Sequence, residues 1–304
     1  MPLRDGVDPT RLVIAEEEDG RTLGEVLEAR FPGTSEYVAG ESARGCVRGS
    51  DGAPLAPSTT LAARQAVWMY RELPDEIDVP FPMPILYQDE RIVVVDKPHF
   101  LATMPRGARV VQSALVRLRR ELGEPQLSPA HRLDRLTAGV LLFTRDPAVR
   151  GRYQQLFATG AAHKEYAALA PVRADVALPA VVESRIEKTP GIMRAYEVEG
   201  PVNARSRVAL ESVAPDGAGG TVGRYRLRPE TGKTHQLRLH MTRLGIPILG
   251  DPLYPEQRET VDGDFSDPLR LLARSLRFID PVDGAEREFV SARDLAAPST
   301  RSSG

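Results

Sequence analysis

The chain has 304 residues, 41% hydrophobic and 27% charged, with a formal net charge of −2. That is the balance of a globular protein, and it excludes fibrous and disordered classes. One cysteine, Cys46, excludes an internal disulfide or a cysteine-cluster metal site, and no run approaches the roughly 18 apolar residues of a membrane span. The start, Met1 to Gly20, is polar and acidic rather than a secretory core, so a soluble cytoplasmic protein of about two domains is expected. Taken alone, a net charge this close to zero speaks against a nucleic-acid partner.

Along the chain, Thr22–Phe31 has helical spacing through Leu23, Val26, Leu27 and Phe31. A turn follows at Ser50-Asp51-Gly52, then a short apolar strand at Val67–Tyr70. From Leu73 to Pro84, closely spaced prolines and acidic residues read as an extended linker, because proline removes backbone donors and fixes φ. This divides a small N-terminal domain, 1–72, from a linker, 73–84, and a main body, 85–296, with a flexible tail at 297–304. In the body, Arg91–Val95 reads as a buried strand and Val111–Leu122 as a helix with one apolar face. Val140–Phe143 is a second apolar strand. Asp146-Pro147 then supplies a cap and first-turn proline for a helix through Phe157. Glu165–Leu169, Val208–Val213 and Tyr225–Arg228 read as strands, the last two joined by the turn Pro215–Gly220. Thr234 is the expected cap of a helix running to Leu244. Strands, helices and a hairpin in this order predict an α+β fold with a mixed sheet.

The distribution of charge revises the first impression. Residues 1–80 carry eight Arg, no Lys and fifteen Asp or Glu, a net of −7, and residues 251–304 carry −4. Three segments between them are basic: 103–120 at +5, 128–166 at +3 and 222–243 at +5. Arginine supplies 36 of the 40 positive charges, which suits bidentate phosphate contacts.

The densest polar cluster is His131-Arg132-Leu133-Asp134-Arg135-Leu136-Thr137-Ala138-Gly139. Arginines on both sides hold such an aspartate ionised, and in a cleft it serves as a nucleophile or general base. A structural ion pair capping a strand is the alternative for this string alone. The string closely resembles the His-Arg-Leu-Asp-Arg-x-Thr-Ser-Gly signature of the RluA family of RNA pseudouridine synthases, with Ala138 in place of Ser. Asp96-Lys97-Pro98, Lys164-Glu165-Tyr166, Thr231-Gly232-Lys233-Thr234-His235-Gln236-Leu237-Arg238-Leu239-His240 and Gly245–Tyr254 resemble further family blocks in the family's order. Lys233 stands where the family has Arg. The resemblance spans about residues 85–290.

The resemblance implies a pseudouridine synthase fold over 85–296, a mixed, mainly antiparallel sheet with helices around a cleft. The implied reaction breaks the bond between uracil and the ribose anomeric carbon, rotates the base and rejoins it through ring carbon 5. No atoms are gained or lost, so no cofactor or metal is implied. Asp134 is implied as the catalytic residue, Tyr166 as the ring stacking on uracil, and Lys233 as the cation paired with Asp134. Arg132 would fill the space of the flipped nucleotide and Leu237 would line the pocket. His131, Arg135, Thr234 and Arg238 complete the expected substrate-binding set, with His131 read as fixing the loop. Ribosomal or transfer RNA is the implied partner, with no DNA or membrane, and the expected state is a monomer. A non-catalytic RNA-binding or ribosome-assembly factor is the rival, and it would be expected to lose Asp134 or Tyr166. A uracil-releasing glycosidase is a second rival, but no second carboxylate is marked to activate water. The N-terminal domain resembles, more weakly, the RNA-binding domain named after ribosomal protein S-four, without its basic helix: Thr34–Val47 holds Arg44 against Glu36 and Glu41.

Overall fold

In the computed structural model, residues 1–295 are described apart from 71, 74, 108 and 217–219. The expected tail at 297–304, residue 296 and the middle of the turn Pro215–Gly220 lie outside them. Contacts divide the chain into two units. One holds Met1–Glu76, Pro105–Val111 and Val116–Pro125; the other holds Ile77–Met104, Gln112–Leu115 and the chain from Gln126 onward.

The first unit contains strands β1 (Thr10–Val13), β2 (Val47–Gly49) and β3 (Ala66–Met69), and helices α1 (Leu23–Arg30) and α2 (Ser35–Ala43). The strands form an antiparallel sheet in the order β1-β3-β2. Helix α1 starts where its sequence signal lies. Thr22 Oγ1 accepts from the Glu25 amide, and Glu25 Oε2 accepts from the Thr22 amide at 2.8 Å, a reciprocal cap that satisfies two amide donors at the helix start. Leu23, Val26 and Leu27 then meet Leu12, Val38, Val47, Val67 and Met69 in one core. Helix α2 buries Glu41 between Arg4 and Arg44.

Helix α3 (Ala114–Leu122) follows, and its arginines are already engaged. Arg119 donates to the Gly6 carbonyl and meets the Asp8 carboxylate at 2.8 Å, while Arg120 donates to the Asp5 carbonyl. The linker 73–84 forms no helix or strand where it is described, yet it is fastened: Glu76 accepts from the Val110 and Val111 amides.

The second unit contains, among its described residues, an eleven-stranded sheet. Its strands are β4 (Ile85–Gln88), β5 (Ile92–Lys97), β6 (Ser128–Pro129), β7 (Ala138–Thr144), β8 (His163–Pro171), β9 (Ala180–Glu187), β10 (Tyr196–Val198), β11 (Ala204–Pro215), β12 (Thr221–Pro229), β13 (Leu271–Ile279) and β14 (Glu286–Val290). The path runs β10-β9-β11-β12-β8-β13-β7-β5-β4, with β6 on β7 and β14 on β13. The pairing of β13 with β7 is parallel and the other pairs are antiparallel. Helix α4 (Pro147–Ala158) begins at its expected cap, Asp146, which accepts from the Ala148 amide at 2.8 Å. Helix α5 (Gln236–Arg243) is capped by His235 rather than Thr234: His235 adopts φ 57°, a left-handed turn that starts the helix later than expected.

The parallel pair sits directly behind the His131–Gly139 motif and demands its glycine. Gly139 has φ +114°, and a Cβ there would lie 2.1 Å from the Ala273 carbonyl oxygen. Gly139→Ala is therefore expected to part β7 from β13 and destabilise this unit by on the order of 3 kcal/mol, read as a lower urea midpoint. An unchanged midpoint would contradict that close approach.

Candidate active site

The motif loop between β6 and β7 opens on a cavity of about 350 Å³. Its lining includes His131, Arg132, Leu133, Asp134, Phe157, Lys164, Tyr166, Lys233, Thr234, His235, Leu237 and Arg238. Sequence-distant segments meet here because β8 places Lys164 and Tyr166 beside the loop, and the turn into α5 closes the other side. Among the described residues, the lining holds four basic side chains (Arg132, Lys164, Lys233, Arg238) and one carboxylate, Asp134. A protein near neutrality overall thus has a basic cleft.

Asp134 is held from behind through its neighbours' backbone. Thr103 Oγ1 donates to the Leu133 carbonyl at 2.8 Å and accepts from the Leu133 amide at 3.1 Å. Lys97 Nζ donates to the carbonyls of Pro98, Leu101 and Arg135, matching its three N–H bonds to three acceptors. His99 Nδ1 donates to the Leu136 carbonyl at 2.7 Å. Burial pulls Lys97 down to about 7 against the opposing pull of Asp134, and burial takes His99 down to about 4. Asp96, beside Lys97, is wholly buried and accepts from Ser291 Oγ and the Ala292 amide, tying the strand end to the chain after β14.

The cation facing Asp134 is not the expected one. Arg238 Nη1 lies 3.8 Å and His235 Nε2 3.9 Å from Asp134 Oδ2, whereas no ion pair within 4.0 Å joins Lys233 to Asp134 among the described residues. Lys233 is exposed at the cavity rim. Arg238 is 2% exposed and is aimed by Asp251, which it grips with two hydrogen bonds of 2.8 and 2.6 Å. Asp251 Oδ1 also accepts from the Leu253 and Tyr254 amides, and the Tyr254 ring lies 5.2 Å from the Arg238 guanidinium.

His235 has a defined tautomer. Tyr254 Oη lies 2.8 Å from the Ala195 carbonyl, which only accepts, so the phenol donates there and accepts from the Ala195 amide. His235 Nδ1, 2.9 Å from the same Oη, is then the donor. Nε2 is the ring nitrogen that faces Asp134; burial favours the neutral ring, and the Asp134 carboxylate opposes it.

The other expected residues divide. Burial, then the Asp134 carboxylate, push the Tyr166 phenol upward, so it stays protonated. Arg132 is exposed at the cavity. Leu237 and Thr234 line it. His131 stacks on Phe157 at 4.2 Å, and its Nε2 accepts from the Leu142 amide at 3.2 Å. Burial takes it down to about 3, so it fixes the loop as a neutral ring. Arg135 is not among the lining residues, and its carbonyl is the group used here, by Lys97.

Residues 91–243, half of the chain, match the family model described as RNA pseudouridylate synthase. The chain belongs to this family. The synthase is an isomerase, 33% identical over 219 residues to the dual-specificity RNA pseudouridine synthase RluA of Escherichia coli, covering 69% of this chain and 93% of that one. It is 27% identical over 301 residues to the ribosomal large subunit pseudouridine synthase D of Xanthomonas campestris, covering 90% and 85%. Human pseudouridylate synthase RPUSD2 is 34% identical over 177 residues, which span 31% of that longer protein. Human RNA pseudouridylate synthase domain containing 4 superposes with a TM-score of 0.52 at 27% identity, covering 70% of this chain and 88% of that one.

The synthase therefore contains supporting residues to which the sequence reading assigned no role. Lys97, Asp251 and Tyr254 lie in motifs that carried a signal; Thr103 carries none. Lys233→Gln is expected to raise the KM for RNA several-fold, leave kcat unchanged and lower the salt slope of binding by about one. A collapse of kcat would instead return Lys233 to the Asp134 pair.

Proposed function

We propose that the synthase isomerises a specific uridine of ribosomal or transfer RNA, with Asp134 acting on a nucleotide flipped into the cavity. The observation that carries this is the Asp134 carboxylate set among cations and beside a protonated Tyr166 in a base-sized cavity. A uridine stacked in a helix presents its anomeric carbon to no side chain, so extrusion is required. Tyr166 stacks on the extruded uracil and Leu237 bounds the base. Arg132, at the cavity, takes the place the nucleotide leaves. Arg238, fixed by Asp251, keeps the Asp134 carboxylate aligned through the cleavage and rejoining of the base. Lys164 and Lys233 hold backbone phosphates.

One chain supplies every residue of this set, so a monomer suffices. Among the described residues no helix is long and apolar enough to cross a membrane, in keeping with action on cytoplasmic RNA. The names of the bacterial relatives favour a ribosomal or dual RNA target. Mapping pseudouridines in total RNA from cells with and without the gene tests this reading. One or a few ribosomal or transfer RNA sites should disappear, and an unchanged map would overturn it.

A further inference from the structure

The small sheet of the first unit carries an arrangement that the catalytic site does not use. Arg11 of β1, Trp68 of β3 and Arg48 of β2 are directly opposite one another in register. Opposed residues of an antiparallel sheet project from the same face. Their neighbours Leu12, Val67, Val47 and Met69 project from the other face into the core of this unit. The Arg-Trp-Arg row therefore lies on the face turned away from that core. Trp68 is half-buried and Arg11 exposed, with its guanidinium 5.7 Å from the indole ring. Val13, 41% exposed, extends the same face along β1.

The charge around the row is unusual for this unit. Residues 1–80 are strongly acidic, and Arg4, Arg30, Arg44 and Arg64 are each paired with a glutamate. Among the described residues, Arg11 and Arg48 have no carboxylate within 4.0 Å. Arg48 spends one N–H on the Gly52 carbonyl and keeps the rest of its fork. Two uncompensated guanidinium groups thus flank an aromatic ring in a region with carboxylates to spare.

We propose that this row is a single-stranded RNA contact, in which a base stacks on Trp68 and the flanking phosphates meet Arg11 and Arg48. Stacking on an indole is tolerant of sequence, and arginine forks suit phosphate oxygens. The row would give the protein a hold on RNA that is independent of the flipped uridine. The inference rests on the reading that the substrate is RNA and goes beyond it, because it assigns a second contact through a sheet face rather than a basic helix.

Trp68 is the only tryptophan of the chain, so its fluorescence reports the row directly. The full-length protein is titrated at low salt with a ten-nucleotide oligouridylate carrying a 3′ dye, and Trp68 emission and dye anisotropy are followed together. The expected result is saturable quenching that tracks the anisotropy. Apparent affinity should be about ten-fold weaker in the Arg11→Gln, Arg48→Gln double variant and in Trp68→Phe read by anisotropy. Binding without quenching, no binding up to millimolar oligonucleotide, or wild-type affinity in Trp68→Phe would each overturn the proposal. Equal quenching by a polyglutamate peptide would do the same, since the row would then take any polyanion. If a variant fails to fold, the wild-type quenching still decides. Tritium release from labelled RNA, measured on the same preparation, reports the catalytic reading separately, and neither result depends on the other.

Discussion

Asp134→Asn is expected to lower turnover by roughly 10³-fold or more while leaving RNA binding intact or slightly tighter. The replacement keeps the shape and hydrogen-bonding edge of the side chain and removes its charge. Stability should change little, because Arg238 keeps its two hydrogen bonds to Asp251 when Asp134 is neutral. Binding should persist because Arg132, Lys164, Lys233 and Arg238 remain around the cavity, and losing the carboxylate removes a repulsion on incoming phosphate. Single-turnover rates and filter binding on the same RNA separate the two effects. Retained turnover would remove Asp134 from the chemistry; lost binding would recast it as a structural residue.

Asp251→Ala should have the largest effect on stability. Arg238 is 2% exposed and Asp251 4% exposed, so the pair is sealed from water. Removing one partner leaves a buried guanidinium whose next carboxylate, Asp134, is 3.8 Å away, and it also strands the amides of Leu253 and Tyr254. Breaking such a pair costs about 3–5 kcal/mol. Asp251→Asn, which retains an acceptor for both amides, should cost less. The urea midpoints of the two variants, with turnover measured under folding conditions, check this. Turnover should fall in both, because Arg238 is no longer aimed at Asp134. A loss below about 1 kcal/mol in Asp251→Ala would mean that the pair does not anchor the site.

The parts of this site legible in the sequence were those encoded locally. Asp134, Arg132 and His131 are neighbours in one string, and Tyr166 sits in a short Lys-Glu-Tyr string, so the resemblance of each local string to a family block singled them out. The choice between Lys233 and Arg238 was not legible, because it depends on where α5 begins. With Thr234 as cap, the residues just before it are as well placed as those after it. The left-handed turn at His235 instead starts the helix at Gln236, which buries Arg238 toward Asp134 and leaves Lys233 at the rim. Strand β13 was missed for a similar reason. Its parallel contact with β7 is specified by a missing Cβ at Gly139, and nothing in residues 271–279 announces the partner. Net charge misled, because the acidic first unit offsets a cavity with four basic side chains and one carboxylate among the described residues.

On the proposed function, this cavity isomerises uridine rather than merely binding RNA or excising its base. Incubating the purified protein with RNA carrying tritium on ring carbon 5 of uridine tests it most directly. The expected result is label released to solvent in proportion to pseudouridine formed, with no free uracil. Free uracil in proportion to the label lost, or RNA bound with no label released, would contradict it.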